Sequence, residues 1–407
     1  MVLTDGRPTI AIETYIRLMV LKARYRWGYR SLVAGVSDSI HLRRFCRISL
    51  SERVPDESTV RKLTRRMGPE TVSNMARMLI LTATRERRFR PRAVRIDSTV
   101  VEADIKYPTD SGLASHGVRA LAREGRKLAQ RIGGQGRRVR DRSRAMGRRL
   151  RAITRTIRRR SGEAKAEVLK LTAQTGELLE RSVKEARRLA KVTRSKARGR
   201  GAKAKLRAAG KLEELADRCE KVAGQIRQRV AGEPISDRIV SLSDPDARPI
   251  RKGKLGKPNE FGYVTQLAEV TENTKRGARG LILPASTAPG NPSENTLLPD
   301  TVAELQRLGI SPREVALDGG FMPGPTNEAL AELAPDRVFI SGRQEPGSRR
   351  TNRRLQRYRT GEEGRISHLK RRYGMGHSRL KGHQGQQIWT EWGILAYNTD
   401  TLAIRTR

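Results

Sequence analysis

Between Arg119 and Arg160 the chain is dense in arginine and lysine, and its only acidic residues there are Glu124 and Asp141. A segment charged so one-sidedly repels itself unless a polyanion lies along it, and it folds only through the few apolar positions it retains. Those positions are regular. Val139, Met146, Leu150, Ile153 and Ile157 recur in heptad-like steps, and Leu212, Leu215, Cys219, Val222 and Ile226 form a second series. Residues 119–234 are therefore expected to be a basic helical insertion of long amphipathic helices able to fold back as a coiled-coil hairpin. Breaks are expected near GGQG (133–136) and RGRGAKAK (198–205).

The rest of the chain shares the charge. Lys+Arg number 85 against 43 Asp+Glu, a formal net charge of +42 over 407 residues. Aromatic residues make up only 4%, too few for the stacking platforms of single-strand binders, so duplex DNA or structured RNA gripped through phosphates is the expected partner. An apolar content of 36% supports a real core and two or three domains. Cys46 and Cys219 are far apart, with no Cys or His at ligand spacing, which argues against a zinc site or a disulfide framework and fits a reducing cytosol. The apolar stretch from Met75 to Ala83 contains an arginine and falls short of the roughly 20 residues a membrane helix needs. Asp5 and Arg7 precede any apolar region, so no leader peptide is expected.

Helical periodicity runs through residues 9–90, expected to form an all-helical DNA-binding domain (1–90). Asp56 or Ser58 can cap a helix that presents Arg61, Lys62, Arg65 and Arg66. A short basic helix after a helical pair is the pattern of a helix-turn-helix, and equally that of an ordinary solvated face. From Pro91 the texture becomes β-branched and alternating, predicting a strand that carries Asp97. Strand texture returns at 237–244 (DRIVSLSD), 261–272 (FGYVTQLAEVTE) and 280–288 (GLILPASTA). A helix, two short strands and two further helices follow. The fold class predicted is an α/β core, built from residues 91–118 and 235–407 and split by the insertion.

Two aspartates follow apolar strand residues, in Val94-Arg95-Ile96-Asp97 and Val315-Ala316-Leu317-Asp318. A carboxylate leaving a buried strand is rigidly presented where open α/β sheets build their sites. Either aspartate alone can equally belong to a turn, and Asp318-Gly319-Gly320 is a turn signal in itself. Arg359, Glu363 and Lys370 are spaced to share one side of a predicted helix. The plainer alternative is an i,i+4 Arg–Glu surface pair. Glu362 adjoins Glu363 and takes its place if the register is shifted by one, and Glu102 and Asp104 are expected on a hairpin surface.

The segments DSTVVEADIKYPTDSGL, VALDGGF and YRTGEEGRISHLKRRYGMGHSRLKG resemble the three catalytic segments of bacterial insertion-sequence DDE transposases. The third is similar to that family's Tyr-x₂-Arg-x₃-Glu-x₆-Lys signature, with Arg359, Glu363 and Lys370 in place and Gln356 at the tyrosine position. The resemblance implies an RNase H-like mixed sheet with flanking helices. It also implies an enzyme that cuts and rejoins DNA at element ends, with Asp97, Asp318 and Glu363 as catalytic residues and ligands of two Mg²⁺ ions, Mn²⁺ being a substitute. Arg359 and Lys370 would hold phosphates. Double-stranded DNA is the implied partner, with assembly of several copies on it, in the cytoplasm at the nucleoid. The alternatives are a non-catalytic nucleic-acid-binding protein, a nuclease that does not rejoin, and an inactive or truncated transposase remnant.

Overall fold

The computed structural model describes residues 10–133, 138–254, 257–343 and 347–405, apart from the side chains of 252–254 and 257–258. It divides into two compact units, one made of residues 1–104 with 250–407 and the other of residues 105–249. The chain order is α1 (Ile12–Arg24), α2 (Tyr29–Asp38), α3 (Ile40–Phe45), α4 (Glu57–Arg85), β1 (Ala93–Ala103), α5 (Asp110–Arg131), α6 (Ser143–Thr156), α7 (Gly162–Lys196) and α8 (Ala202–Ala231). There follow β2 (Arg248–Lys254), β3 (Lys257–Thr271), β4 (Leu281–Ile282), β5 (Ser286–Pro289), α9 (Glu294–Arg307), β6 (Glu314–Leu317), α10 (Pro323–Leu330), β7 (Arg337–Ile340), α11 (Arg349–Arg372), β8 (His377–Ser378) and α12 (His383–Arg405).

The first unit is built on a mixed eight-stranded sheet whose main path is β2-β3-β1-β6-β7. The central strand, β1, runs antiparallel to β3 and parallel to β6, which is in turn parallel to β7. On the far side of β3 lie the short strands β4 and β5. Because β1 has neighbours on both sides, its residues are almost all buried, as expected of a central strand with both faces covered.

The N-terminal helices are part of this unit. Tyr15, Leu18, Leu32, Val60 and Val72 join one apolar cluster with Trp392 and Tyr397 of α12, so among the described residues the helices before residue 90 share their core with the end of the chain. Asp56 caps α4 by accepting from the Ser58 amide at 2.8 Å. Helix α4 breaks at Gly68, whose φ of 71° precedes Pro69. The proline ring disfavours helical geometry in the residue before it, and glycine accepts the left-handed alternative at no steric cost.

The second unit is helical. Arg227 pairs with Glu180, Arg187 with Asp217 at 2.8 Å and Arg194 with Glu213. Partner numbers fall along one helix as they rise along the other, so α7 and α8 run antiparallel. These exposed pairs contribute little, typically about 0–1 kcal/mol each. The apolar seam contributes more: Leu179, Val183, Leu189, Leu212, Cys219, Val222 and Ile226 are buried together with Leu121 and Leu128 of α5 and Met146 of α6. The result is a four-helix arrangement rather than a lone hairpin. Of the break residues expected at 133–136, all but Gly133 lie outside the described residues.

One predicted strand is absent. Residues 237–244 are irregular, because Gln225 on α8 satisfies the Ile239 backbone on both sides, accepting from its amide at 2.6 Å and donating to its carbonyl at 3.2 Å. Ile239 and Leu242 are apolar for a different reason, since they close the helical core.

Candidate active site

Asp97 is not at a strand end. It sits in the middle of β1, and what ends beside it is the neighbouring strand. The parallel register pairs Ile96 with Leu317, so Asp97 and Asp318 occupy the next position on adjacent strands, where β6 stops and β1 continues. That step in the sheet edge opens the crevice in which both aspartates sit, each partly exposed.

Helix α11 crosses this edge and supplies the third segment. The Arg359 guanidinium donates to Asp318 Oδ1 at 2.8 Å through one terminal nitrogen and to Glu363 Oε1 at 2.7 Å through the other. Arg359 is 10% exposed, whereas the Asp318 and Glu363 side chains are 41% and 58% exposed. The cation is thus the fixed centre, and the carboxylates open toward solvent. Arg359 Nε is buried with no hydrogen-bond partner among the described residues.

Asp97 completes the cluster electrostatically. Burial first, then the nearby Asp318 and Glu294 charges, push its carboxyl up to about 6, against the lowering effects of the Ser98 amide and of Arg359. Glu294, the first residue of α9, accepts a hydrogen bond from Ser98 Oγ. Sequence reasoning passed over it; the only signal was an acidic residue directly after the Asn-Pro-Ser turn and the helix cap at Ser293.

Behind the site lies a buried charge network. Arg95 shares the sheet face of Asp97, two residues away. Its Nε donates to Glu269 Oε2 at 2.9 Å and one terminal nitrogen donates to the Tyr358 carbonyl at 2.8 Å. Gly361 leaves the room that this guanidinium needs, since a β-carbon there would stand 2.1 Å from an Arg95 nitrogen. Glu362 points inward to Arg95 at 3.0 Å, a close ion contact whose angles do not make a hydrogen bond. Its carboxyl is held well above the usual range, by burial foremost and then by Glu269, with Arg95 opposing. Glu362 therefore faces the interior, whereas Glu363 is exposed beside Arg359.

Other residues singled out by sequence fall as follows. Gln356, at the tyrosine position, accepts from Ser341 Oγ at 2.9 Å, while Tyr358 is buried beneath the helix, its hydroxyl 2.7 Å from Thr271 Oγ1. Lys370 lies two turns beyond Glu363, its stem beside Gly376. Arg61, Lys62, Arg65 and Arg66 are exposed on the first half of α4, away from this crevice in sequence and packing. Glu102 remains in β1 opposite Gly262, and Asp104 meets His377 at 3.3 Å.

The donor set suits a hard divalent cation in part. Asp97 and Asp318 are carboxylates at adjacent positions on neighbouring strands, the oxygen donors that Mg²⁺ favours, although Asp318 is already paired with Arg359. Glu363 is engaged by Arg359, and among the described residues no group of three or more His, Cys, Asp or Glu stands at ligand separation.

Residues 2–66 match a family model described as a transposase domain (DUF772). No curated protein and no solved structure matches the chain. The matched span supports a transposase family and ends before any of the crevice carboxylates.

Proposed function

We propose that this chain is a DNA transposase of the DDE type, which cuts and rejoins phosphodiester bonds at the ends of a mobile element. One observation carries the reading: Asp318 and Glu363, from distant segments, both bond Arg359, and Asp97 stands beside Asp318 on the neighbouring strand, within reach of the Asp318 and Arg359 charges. Strand order supports an RNase H-like core, because an antiparallel pair leads into parallel β6 and β7 and the carboxylates lie at the point where β6 ends.

Each residue has a definable task. Arg359 can offer a phosphate the two terminal donors that now bond Asp318 and Glu363. Lys370, further along the helix, adds a point charge for the same backbone. Asp97 and Asp318 would hold a divalent cation, with Glu363 joining them, Asp318 and Glu363 each giving up a contact with Arg359. Such ions supply Lewis-acid stabilisation of the attacking and leaving oxygens.

No helix among the described residues is long and apolar enough to cross a membrane, in keeping with a DNA substrate reached from water. The test is a labelled duplex carrying the element's end, incubated with the protein and Mg²⁺ or Mn²⁺ and a second duplex. Cleavage at the end followed by joining of its 3′ terminus to the second duplex is expected. Cleavage without joining would assign a nuclease, and binding without either would assign a non-catalytic DNA-binding protein or an inactive remnant.

A further inference from the structure

Upstream of Arg359 on the same helix is a second basic feature. The N-terminal half of α11 and the loop after β3 enclose a cleft of about 1100 Å³ lined by Arg276, Arg349, Arg350, Arg353, Arg354 and Arg357, with Thr351 as the remaining lining residue. Arg354 forms a two-pronged pair with Glu314, the first residue of β6, which anchors this part of the helix to the sheet. The other five guanidinium groups have no carboxylate partner among the described residues. Arg349, Arg353 and Arg357 follow at i,i+4 spacing and so form a stripe. Like charges concentrated in this way repel unless an anion fills the space.

The lining narrows the ligand class. Small-molecule pockets are mostly apolar and about 300–1,000 Å³, and this cleft has the size without the apolar walls. Single-strand channels stack bases on aromatic side chains, and this lining has none. Arginine forks without aromatic partners match the phosphates of a duplex.

We propose that this arginine cleft binds the sugar-phosphate backbone of duplex DNA beside the position being cut. The assignment rests on the reading of duplex DNA as substrate and adds a site to it. Ten residues separate Arg349 from Arg359 on α11, roughly 15 Å of helix. On B-form DNA that is roughly four base pairs. The cleft therefore holds the flank of the duplex while Arg359 meets the reacting phosphate.

The experiment compares the full chain with an Arg349→Ala, Arg353→Ala, Arg357→Ala variant, titrating a fluorescein-labelled random duplex by anisotropy over a NaCl series. Each lost phosphate contact lowers the log–log salt slope by about 0.9, so a drop of about two to three units is expected. The corresponding triple lysine variant should recover most of it. Circular dichroism checks folding, and if the triple variant is unfolded, Arg353→Ala alone should lower the slope by about 0.9. An unchanged slope in a folded variant overturns the proposal. So does a drop seen with oligo(dT) or duplex RNA but not with duplex DNA. Random duplex and a binding readout keep this separate from catalysis. A variant that still cuts and joins with an unchanged slope sinks the cleft alone, and a lowered slope in a protein that never cuts sinks the transposase reading alone.

Discussion

Arg95 and Glu362 meet at 3.0 Å with side chains 2% and 0% exposed, and through them the strand that carries Asp97 is tied to the helix that carries Arg359 and Glu363. Neither residue touches the crevice. Both fix what does, since any slip of α11 along β1 would break this contact together with the bond from Arg95 to the Tyr358 carbonyl.

The first prediction concerns this network. Glu269 receives Arg95, the Arg365 Nε at 3.0 Å and the Gly280 amide at 2.7 Å, whereas Glu362 accepts no hydrogen bond among the described residues and its carboxyl is pushed well above the usual range, by burial foremost. Arg95→Met removes a buried cation that meets both Glu269 and Glu362, and Glu269→Gln removes the carboxylate shared by Arg95 and Arg365, so each should destabilise by roughly 3–5 kcal/mol. Glu362→Gln should cost much less. Thermal melts of the three variants check this, and an equal loss for Glu362→Gln would mean that its carboxylate is ionised.

A second prediction follows from Glu391 on α12. Burial, the largest cause, pushes its carboxyl up to about 8, while its Oε1 accepts from the Ala285 amide at 2.8 Å. The native protein thus binds a proton that the unfolded chain releases near 4.5. Its contribution to stability is fully present below the unfolded value and is lost as pH rises through about 8. Glu391→Gln should flatten that decline, seen as a thermal midpoint that falls less between pH 5 and pH 9 than that of the parent.

For the crevice, Asp97→Asn, Asp318→Asn and Glu363→Gln should each reduce cleavage by about a hundredfold or more, beyond what supporting residues around a metal typically cost. Affinity for the duplex should persist, because the basic surface is untouched. A gel assay for cut and joined products, run beside a binding titration, separates the two effects.

Divalent ions should raise the thermal midpoint at pH 8, where Asp97 is ionised and repelled by Asp318 and Glu294. Asp97→Asn, which removes that repulsion, should melt higher than the parent without metal and respond weakly to MgCl₂. A parent protein indifferent to millimolar Mg²⁺ and Mn²⁺ would count against metal ligation at this pair.

End recognition by Arg61, Lys62, Arg65 and Arg66 has to be tested in the full chain, because α1–α4 share their core with α12 and a fragment of residues 1–90 would expose it. Replacing a base-reading arginine should relax preference at one position by about 1–3 kcal/mol. Replacing a phosphate contact weakens all sequences alike. Competition binding with end and random duplexes reads the difference.

Much of the site was legible because its residues sit in strong local patterns: Asp97 and Asp318 behind apolar strand residues, and Arg359 and Glu363 at one helical turn. What was not legible depended on partners distant in sequence. That β1 continues past Asp97 is decided by its pairing with β3, a strand encoded beyond the helical insertion, which places Leu267 opposite Asp97. Glu294 and Arg95 matter only through the side chains they meet. The strand expected at 237–244 failed because β-branched and apolar residues serve equally well to cap a helical core, and only Gln225 decides between them. The N-terminal helices carry periodicity but no sign of which surface covers them, and α12 is encoded at the other end of the chain.

The unit formed by residues 105–249 interrupts the central sheet between β1 and the strand that pairs with it, and this sets an order of events during synthesis. At about 5–20 residues per second, the ribosome needs roughly 7 to 30 seconds to make the segment that separates them. Throughout that interval β1, apolar and with both edges unpaired, has no native neighbour to bond with. The helical unit, whose contacts are closer in sequence, can close first. The sheet is thus completed late, and a nascent chain stalled or cleaved within the insertion is an aggregation hazard rather than a partly folded domain.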